Sequence, residues 1–272
     1  MARLIEFKNN ENELLRGILD ESQSEKAIIF LSGFERTTIE SKFKNITDRL
    51  RGKVNLFRFD FSGLGMSDGN FTDITVEKMS GEINSAIAAL SEYSNNITDY
   101  YFIAHSLGCC AALRYLQDNK VKISGLVFLA PALNQKRLHR YWFTVSEGKK
   151  KGIEITWDNY QDYLDETAFE KYCQQPMRMT KEHYISNRYF LENMNMDYQD
   201  LMADVDSTKF LVIQSVMDDK VPYQSNDKIN SFGINFLSLP EGDHDIQRPD
   251  VVERYMPKII NFIEGGYDSN NR

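Results

Sequence analysis

Cysteine is scarce. Cys109, Cys110 and Cys173 are the only three in 272 residues, an odd set without metal-ligand spacing, which excludes a disulfide-stapled scaffold and a cysteine zinc centre. Long apolar runs are absent as well. Met1-Ala2-Arg3-Leu4-Ile5-Glu6-Phe7 passes directly into polar Lys8-Asn9-Asn10-Glu11, and no stretch is long enough for a signal peptide or a membrane-spanning helix. These two absences predict a reduced, cytoplasmic protein without a membrane partner. Positive charge is in deficit: 32 Lys and Arg face 40 Asp and Glu, for a net charge of −8. The one compact basic run, Lys149-Lys150-Lys151, reads as a solvated loop, so a nucleic-acid partner is excluded. Repeats and low-complexity tracts are also missing.

What remains is ordinary globular chemistry, with 42% apolar and 26% charged residues in a length that suits one large α/β domain. Arg3 to Phe7 and Leu14 to Asp20 read as strands joined by a turn-prone Asn-rich link. Ala27 to Leu31 is a continuous apolar run, as expected of a strand covered on both faces. A polar helix should follow, ending near Leu50, and then a strand from Val54 to Phe59. Val76, Met79, Ile83, Ile87 and Leu90 recur at helical spacing. Strands are predicted at Tyr100 to Ala104, Gly125 to Ala130, Phe210 to Gln214 and Asn235 to Leu239, and helices at Ala111 to Gln117, Gln224 to Ile229 and Val251 to Ile263. Such alternation implies a mostly parallel sheet wrapped by helices. It breaks between Ala132 and Asp206, a stretch rich in Tyr, Asn, Gln and Met. The expected organisation is therefore a core domain of residues 1–131 and 207–272 with residues 132–206 inserted as a cap over one sheet edge. The tail at Gly265-Gly266 is expected to fray.

The chain is organised around Ala104-His105-Ser106-Leu107-Gly108, which lies between a predicted strand and a predicted helix. Small residues two positions either side of Ser106 let strand and helix approach closely, so the serine occupies a strained turn and its hydroxyl projects above the sheet. This is the nucleophile-elbow pattern, with alanine where the first glycine usually stands.

A serine hydroxyl needs a base to take its proton and an acid to orient that base. Only four histidines are available: His105 is next to Ser106 in the turn and should point away from it, His139 and His183 lie in the inserted stretch, and His244 follows the last predicted strand. His244 is thus placed at the same sheet edge as Ser106. Between them, after the strand Phe210 to Gln214, Met217-Asp218-Asp219-Lys220-Val221-Pro222 offers two adjacent carboxylates. The Leu107 amide and the loop at Gly33-Phe34 are the expected donors to a developing oxyanion. Asp60 also follows a strand, but beside Ser62-Gly63-Leu64-Gly65 it reads as a residue that fixes the turn; the two glycines lack the remainder of a phosphate-binding motif.

Leu31-Ser32-Gly33-Phe34, Phe59 to Gly69, Ala104 to Gly108, Asp218 to Pro222 and Glu241-Gly242-Asp243-His244 together resemble the α/β-hydrolase superfamily, and within it the cinnamoyl or feruloyl esterase-like serine hydrolases. The resemblance implies the α/β-hydrolase fold, a triad of Ser106, Asp218 and His244, an oxyanion hole at Phe34 and Leu107, and a small-molecule acyl substrate with neither metal nor organic cofactor. Its D-x-x-V-P spacing selects Asp218 over Asp219. Two positions depart from the family pattern: Ser32 replaces a histidine, and Ala104 replaces a glycine. An ester is the expected substrate; a thioester, a short peptide, or ligand binding without turnover are the alternatives. Trp142, Phe143, Trp157, Tyr160, Tyr163, Met177 and Met179 either line an acyl pocket or form a small core of the inserted stretch.

Overall fold

The structure is a computed structural model that describes residues 2–94, 96–118 and 121–265. The tail expected to fray lies outside these from Gly266 on. Strands β1 (Ala2–Lys8), β2 (Leu14–Asp20), β3 (Lys26–Leu31), β4 (Asn55–Phe59), β5 (Asp99–His105), β6 (Ile123–Leu129), β9 (Phe210–Ser215) and β10 (Asn235–Leu239) form one sheet in the order β1-β2-β4-β3-β5-β6-β9-β10. β2 pairs antiparallel with both neighbours, and every pairing from β4 to β10 is parallel.

The apolar strands are buried because both faces are covered. Along β3, Ile29 and Leu31 face one core and Ile28 and Phe30 the other, following the two-residue period of a strand. Helices α2 (Val76–Tyr93) and α3 (Leu107–Asp118) cover the first face through Met79, Ile83 and Leu113. Helices α1 (Ser41–Leu50) and α8 (Pro249–Glu264) cover the second through Phe43, Ile46, Val251 and Ile259. From β3 the chain steps to β4 on one side and returns to β5 on the other. That reversal opens a crevice at the carboxyl ends of β3 and β5, the usual ligand position in a sheet of this kind.

Between β6 and β9 the alternation stops, as its absence in the sequence implies. Helices α4 (Gln135–Lys151), α5 (Tyr160–Tyr163), α6 (Glu166–Gln174) and α7 (Asn187–Asn193) occupy the interval, together with an antiparallel ribbon of β7 (Met177–Met179) and β8 (Tyr184–Ser186). The ribbon is too short to carry a readable alternation. Phe143, Phe169, Cys173, Ile185 and Tyr189 join the main core, so most of this segment does not form a core of its own. One element differs in kind. The helix expected at Gln224 to Ile229 is a 3₁₀ segment over Tyr223–Phe232, broken at Asn226. The cause is tertiary: the Asn226 amide is buried and donates to Pro131 O at 2.7 Å and to Gln214 Oε1 at 2.9 Å.

Candidate active site

β5 ends at His105 and α3 begins at Leu107, leaving one residue for the turn. That residue, Ser106, takes φ = +53°, a region costly for a side chain with a Cβ and held by its surroundings. Its amide donates to Leu129 O at 3.0 Å and its carbonyl accepts from Cys109 N at 3.2 Å. Gly108 makes the close approach possible: a Cβ there would lie 2.6 Å from the carbonyl oxygens of both Leu31 and Ser32. At Gly33 a Cβ would stand 3.0 Å from Ser106 Cβ, a tight contact that a larger residue could make only by shifting the turn a few tenths of an ångström.

His244 follows β10 in the loop before α8. Its Nε2 lies 2.9 Å from Ser106 Oγ, and its Nδ1 lies 2.9 Å from Asp218 Oδ2 and 3.1 Å from Oδ1. With the Nδ1 proton donated to the carboxylate, Nε2 is left to accept from the serine hydroxyl. The Asp218 side chain is wholly buried. Its Oδ1 accepts from the Lys220 and Val221 amides at 3.0 and 2.8 Å. Gln214 donates to Val221 O and is itself held by Asn226. The adjacent Asp219 behaves differently. It is half-exposed, pairs with Lys220 Nζ at 2.7 Å and accepts from the His244 backbone amide at 3.2 Å. Partial burial pushes its carboxyl up, but Lys220 and the His244 amide outweigh this and leave it below its ordinary value.

The Phe34 and Leu107 amides stand where the two loops meet. Among the described residues neither has a protein acceptor, and Leu107 also opens α3, whose amino end favours negative charge. His105 turns away from the hydroxyl, and its Nε2 lies 3.0 Å from the carbonyl oxygen of His244. Complete burial, aided by Lys42, drives its pKa well below the ordinary value, so the ring is neutral and supports the His244 loop. Asp60 ties two loops together. It accepts from Thr38 N at 2.8 Å and Thr38 Oγ1 at 3.0 Å, and from Met66 N at 3.2 Å. Burial raises the thiols of Cys109 and Cys110 well above the usual range, so neither is a nucleophile.

Glu40, His105 and Asp245 offer ligand atoms within 4.8 Å of one another. Both carboxylates are already paired with the buried Lys42, at 2.7 and 3.4 Å, and Asp245 also with Arg36 at 3.0 Å, which suits an ion-pair network better than a cation site.

A cavity of about 460 Å³ opens onto Ser106 and His244. Of the aromatic and Met residues singled out in the sequence, Trp142, Phe143 and Met179 line it. Trp157 and Tyr160 instead pack on Tyr141, while Tyr163 and Met177 are exposed. The sequence did not point to Gln135, Tyr172, Arg178, Tyr189 or Phe190, which also line the cavity. Arg178 left one trace, a charged residue between two methionines.

The fold is that of an α/β-hydrolase, and the comparisons agree. Residues 22–232 match the family described as serine aminopeptidase, S33 (Hydrolase_4), and the chain belongs to that family. No curated protein matches the sequence. Among solved structures, Est1E from Butyrivibrio proteoclasticus, with ferulic acid bound, is 19% identical, with 96% of this chain and 98% of that chain covered and a TM-score of 0.71. The Pyrococcus furiosus esterase is 15% identical over 97% and 91% of the two chains, with a TM-score of 0.69. The esterase of Exiguobacterium antarcticum is 14% identical over 96% and 99%, with a TM-score of 0.67. At these identities the likeness is one of fold. The chain is a hydrolase of this family, and no helix among the described residues is long and apolar enough to cross a membrane.

Proposed function

We propose that this protein is a serine esterase acting on a small carboxylic ester. Ser106 Oγ attacks the carbonyl carbon while His244 Nε2 takes its proton, and Asp218 holds the imidazole in the required tautomer and stabilises the cation that forms. The Phe34 and Leu107 amides receive the oxyanion. His244 then protonates the departing alkoxide, and water, deprotonated by the same nitrogen, releases the acid from the acyl-enzyme. The observation that carries this reading is the unbroken contact chain from Ser106 Oγ through His244 to the buried Asp218, each link 2.9 Å. Residues 132–206 act as the cap, because they supply most of the residues that line the cavity onto which the serine opens. The three buried, free cysteines accord with a reducing cytoplasm.

The family's name raises a second reading, cleavage of a peptide at its amino end. A peptide ammonium needs a carboxylate, and the two that line the cavity are each engaged on one side: Glu182 faces Lys181 at 3.4 Å, and Glu35 Oε1 accepts from the Glu182 amide at 3.2 Å, from Thr180 Oγ1 and from His183. The ester is the better fit. The test is labelling by a fluorophosphonate probe and hydrolysis of p-nitrophenyl esters of increasing chain length beside a methyl hydroxycinnamate. Labelling and turnover that vanish in Ser106→Ala support the proposal. A wild-type protein that neither labels nor turns over any ester, yet cleaves an aminoacyl p-nitroanilide, overturns it.

A further inference from the structure

Arg178 on β7 lines the same cavity as Ser106. Its guanidinium is clamped between two rings, 3.6 Å from the centroid of Tyr172 and 3.3 Å from that of Phe190. Those contacts stabilise the cation but supply no acceptor: Nε, Nη1 and Nη2 are all buried and none has a hydrogen-bond partner. Burial lowers the pKa of this group, partly opposed by Tyr172. A guanidinium out of water without an anion is destabilising, and here water does not reach it. The neighbouring His139 adds a second buried nitrogen without a partner, Nε2. Burial, with Arg178 and Arg140, brings the His139 pKa down to about 3, so the ring is neutral and adds no rival charge.

The surroundings carry the same bias. Of the cations around the cavity, Arg36 pairs with Asp245, Lys220 with Asp219 and Lys181 with Glu182, so Arg178 is the one without a carboxylate among the described residues. Glu35 Oε1 is engaged by Thr180 and His183 and does not reach the Arg178 nitrogens.

We propose that Arg178 is a specificity residue for an acyl group that ends in a carboxylate, so that the substrate is the ester of a dicarboxylic or similarly acidic acyl chain. This rests on the esterase reading and narrows it. The guanidinium edge is the fork that a carboxylate matches with two parallel hydrogen bonds, and in this proposal the ligand meets it as the side chain turns from the two rings into the cavity it lines. A monoanion suits the site better than a dianion because two glutamates share the rim. The apolar wall of Trp142, Phe143 and Phe190 accommodates the methylenes between the carboxylate and the scissile carbonyl.

The test separates binding from turnover. In Ser106→Ala, which cannot consume the ligand, titration calorimetry compares the monomethyl esters of succinate, adipate and suberate with their dimethyl esters at pH 8. At least one monoester should bind about tenfold or more tightly than its diester, as a buried charge-assisted pair requires, and Arg178→Met in the same background should erase the difference. Arg178→Met should fold, because it removes a buried unpaired cation and keeps the apolar stem between the rings; a raised Tm without ligand is the matching observation. The proposal is overturned if no chain length shows the preference, if no monoester binds, or if the preference survives Arg178→Met. Failure of the wild type to hydrolyse any of these esters would count against the esterase reading while leaving the binding comparison interpretable.

Discussion

Replacing each of the two adjacent aspartates by asparagine tests the site most sharply. Asp218 Oδ1 accepts from the Lys220 and Val221 amides, while Oδ2 faces His244 Nδ1 at 2.9 Å and Gln214 Nε2 at 3.4 Å. In Asp218→Asn the two backbone donors hold the amide oxygen at the Oδ1 position. The new NH₂ group then takes the shorter contact to Nδ1, which favours an accepting Nδ1 and moves the imidazole proton to Nε2. A ring protonated there cannot receive the Ser106 proton. The expected loss is about 10⁴ in kcat, or about 5.5 kcal/mol of transition-state stabilisation. Flipping the amide restores the tautomer only by turning NH₂ towards two backbone N–H groups, which is no escape. Asp219→Asn retains an oxygen for the His244 amide and loses only the exposed pair with Lys220, worth about 0–1 kcal/mol, so kcat should fall less than about fivefold. Steady-state kinetics on p-nitrophenyl butyrate, with circular dichroism to verify folding, decide the matter. An Asp218→Asn enzyme within tenfold of wild type, or the reverse ranking, would refute the assignment.

Ser106→Ala and His244→Ala should each fold normally and lose at least about a thousandfold in kcat. His139→Ala and His183→Ala should keep most activity, and either proving essential in the same assay would show the base to be misassigned. Gly108→Ala should lose about 1–3 kcal/mol of stability and most activity, because its Cβ must push two carbonyl oxygens from 2.6 Å; thermal unfolding and turnover read both. For pH, His139 has a folded pKa of about 3, below the unfolded value of about 6.5, so the unfolded chain binds the extra proton between them. The stability is present above pH 6.5 and is lost as pH falls towards 3, by up to about 1.4 kcal/mol per unit from this group. His139→Phe should flatten the slope of unfolding free energy between about pH 6 and 4 in urea titrations, and an unchanged slope would contradict the burial argument.

The legible parts of this protein were those with a local cause. Strands covered on both faces have to be continuously apolar, so Ala27 to Leu31 and Phe210 to Gln214 could be read without a partner in sight. Ser106, His244 and the pair Asp218-Asp219 could be picked out as candidates because each lies in a loop after a strand, and a parallel sheet delivers such residues to one edge; only the family's D-x-x-V-P spacing chose Asp218. The cavity wall was not legible. Arg178, Tyr172 and Phe190 belong to three short elements, and nothing in their spacing says that two rings will close on a guanidinium. The broken helix at Asn226 was hidden for a related reason, since its cause is a carbonyl 95 residues away.

The two departures from the family pattern have one physical account. Ser32 is fully buried and does not line the cavity, so its side chain has no part in the proposed oxyanion hole, which is built from main-chain N–H groups. Ala104 lies on β5, fully buried, and its carbonyl receives Cys109 Sγ at 3.4 Å. Its methyl is tolerated in the first core, whereas the same methyl at Gly108 would strike two backbone oxygens. The elbow therefore needs its glycine on the helix side, where α3 crosses the end of β3, and accepts alanine on the strand side. That asymmetry explains how a chain can lack the first glycine of the pattern and still hold Ser106 at a positive φ within 2.9 Å of His244.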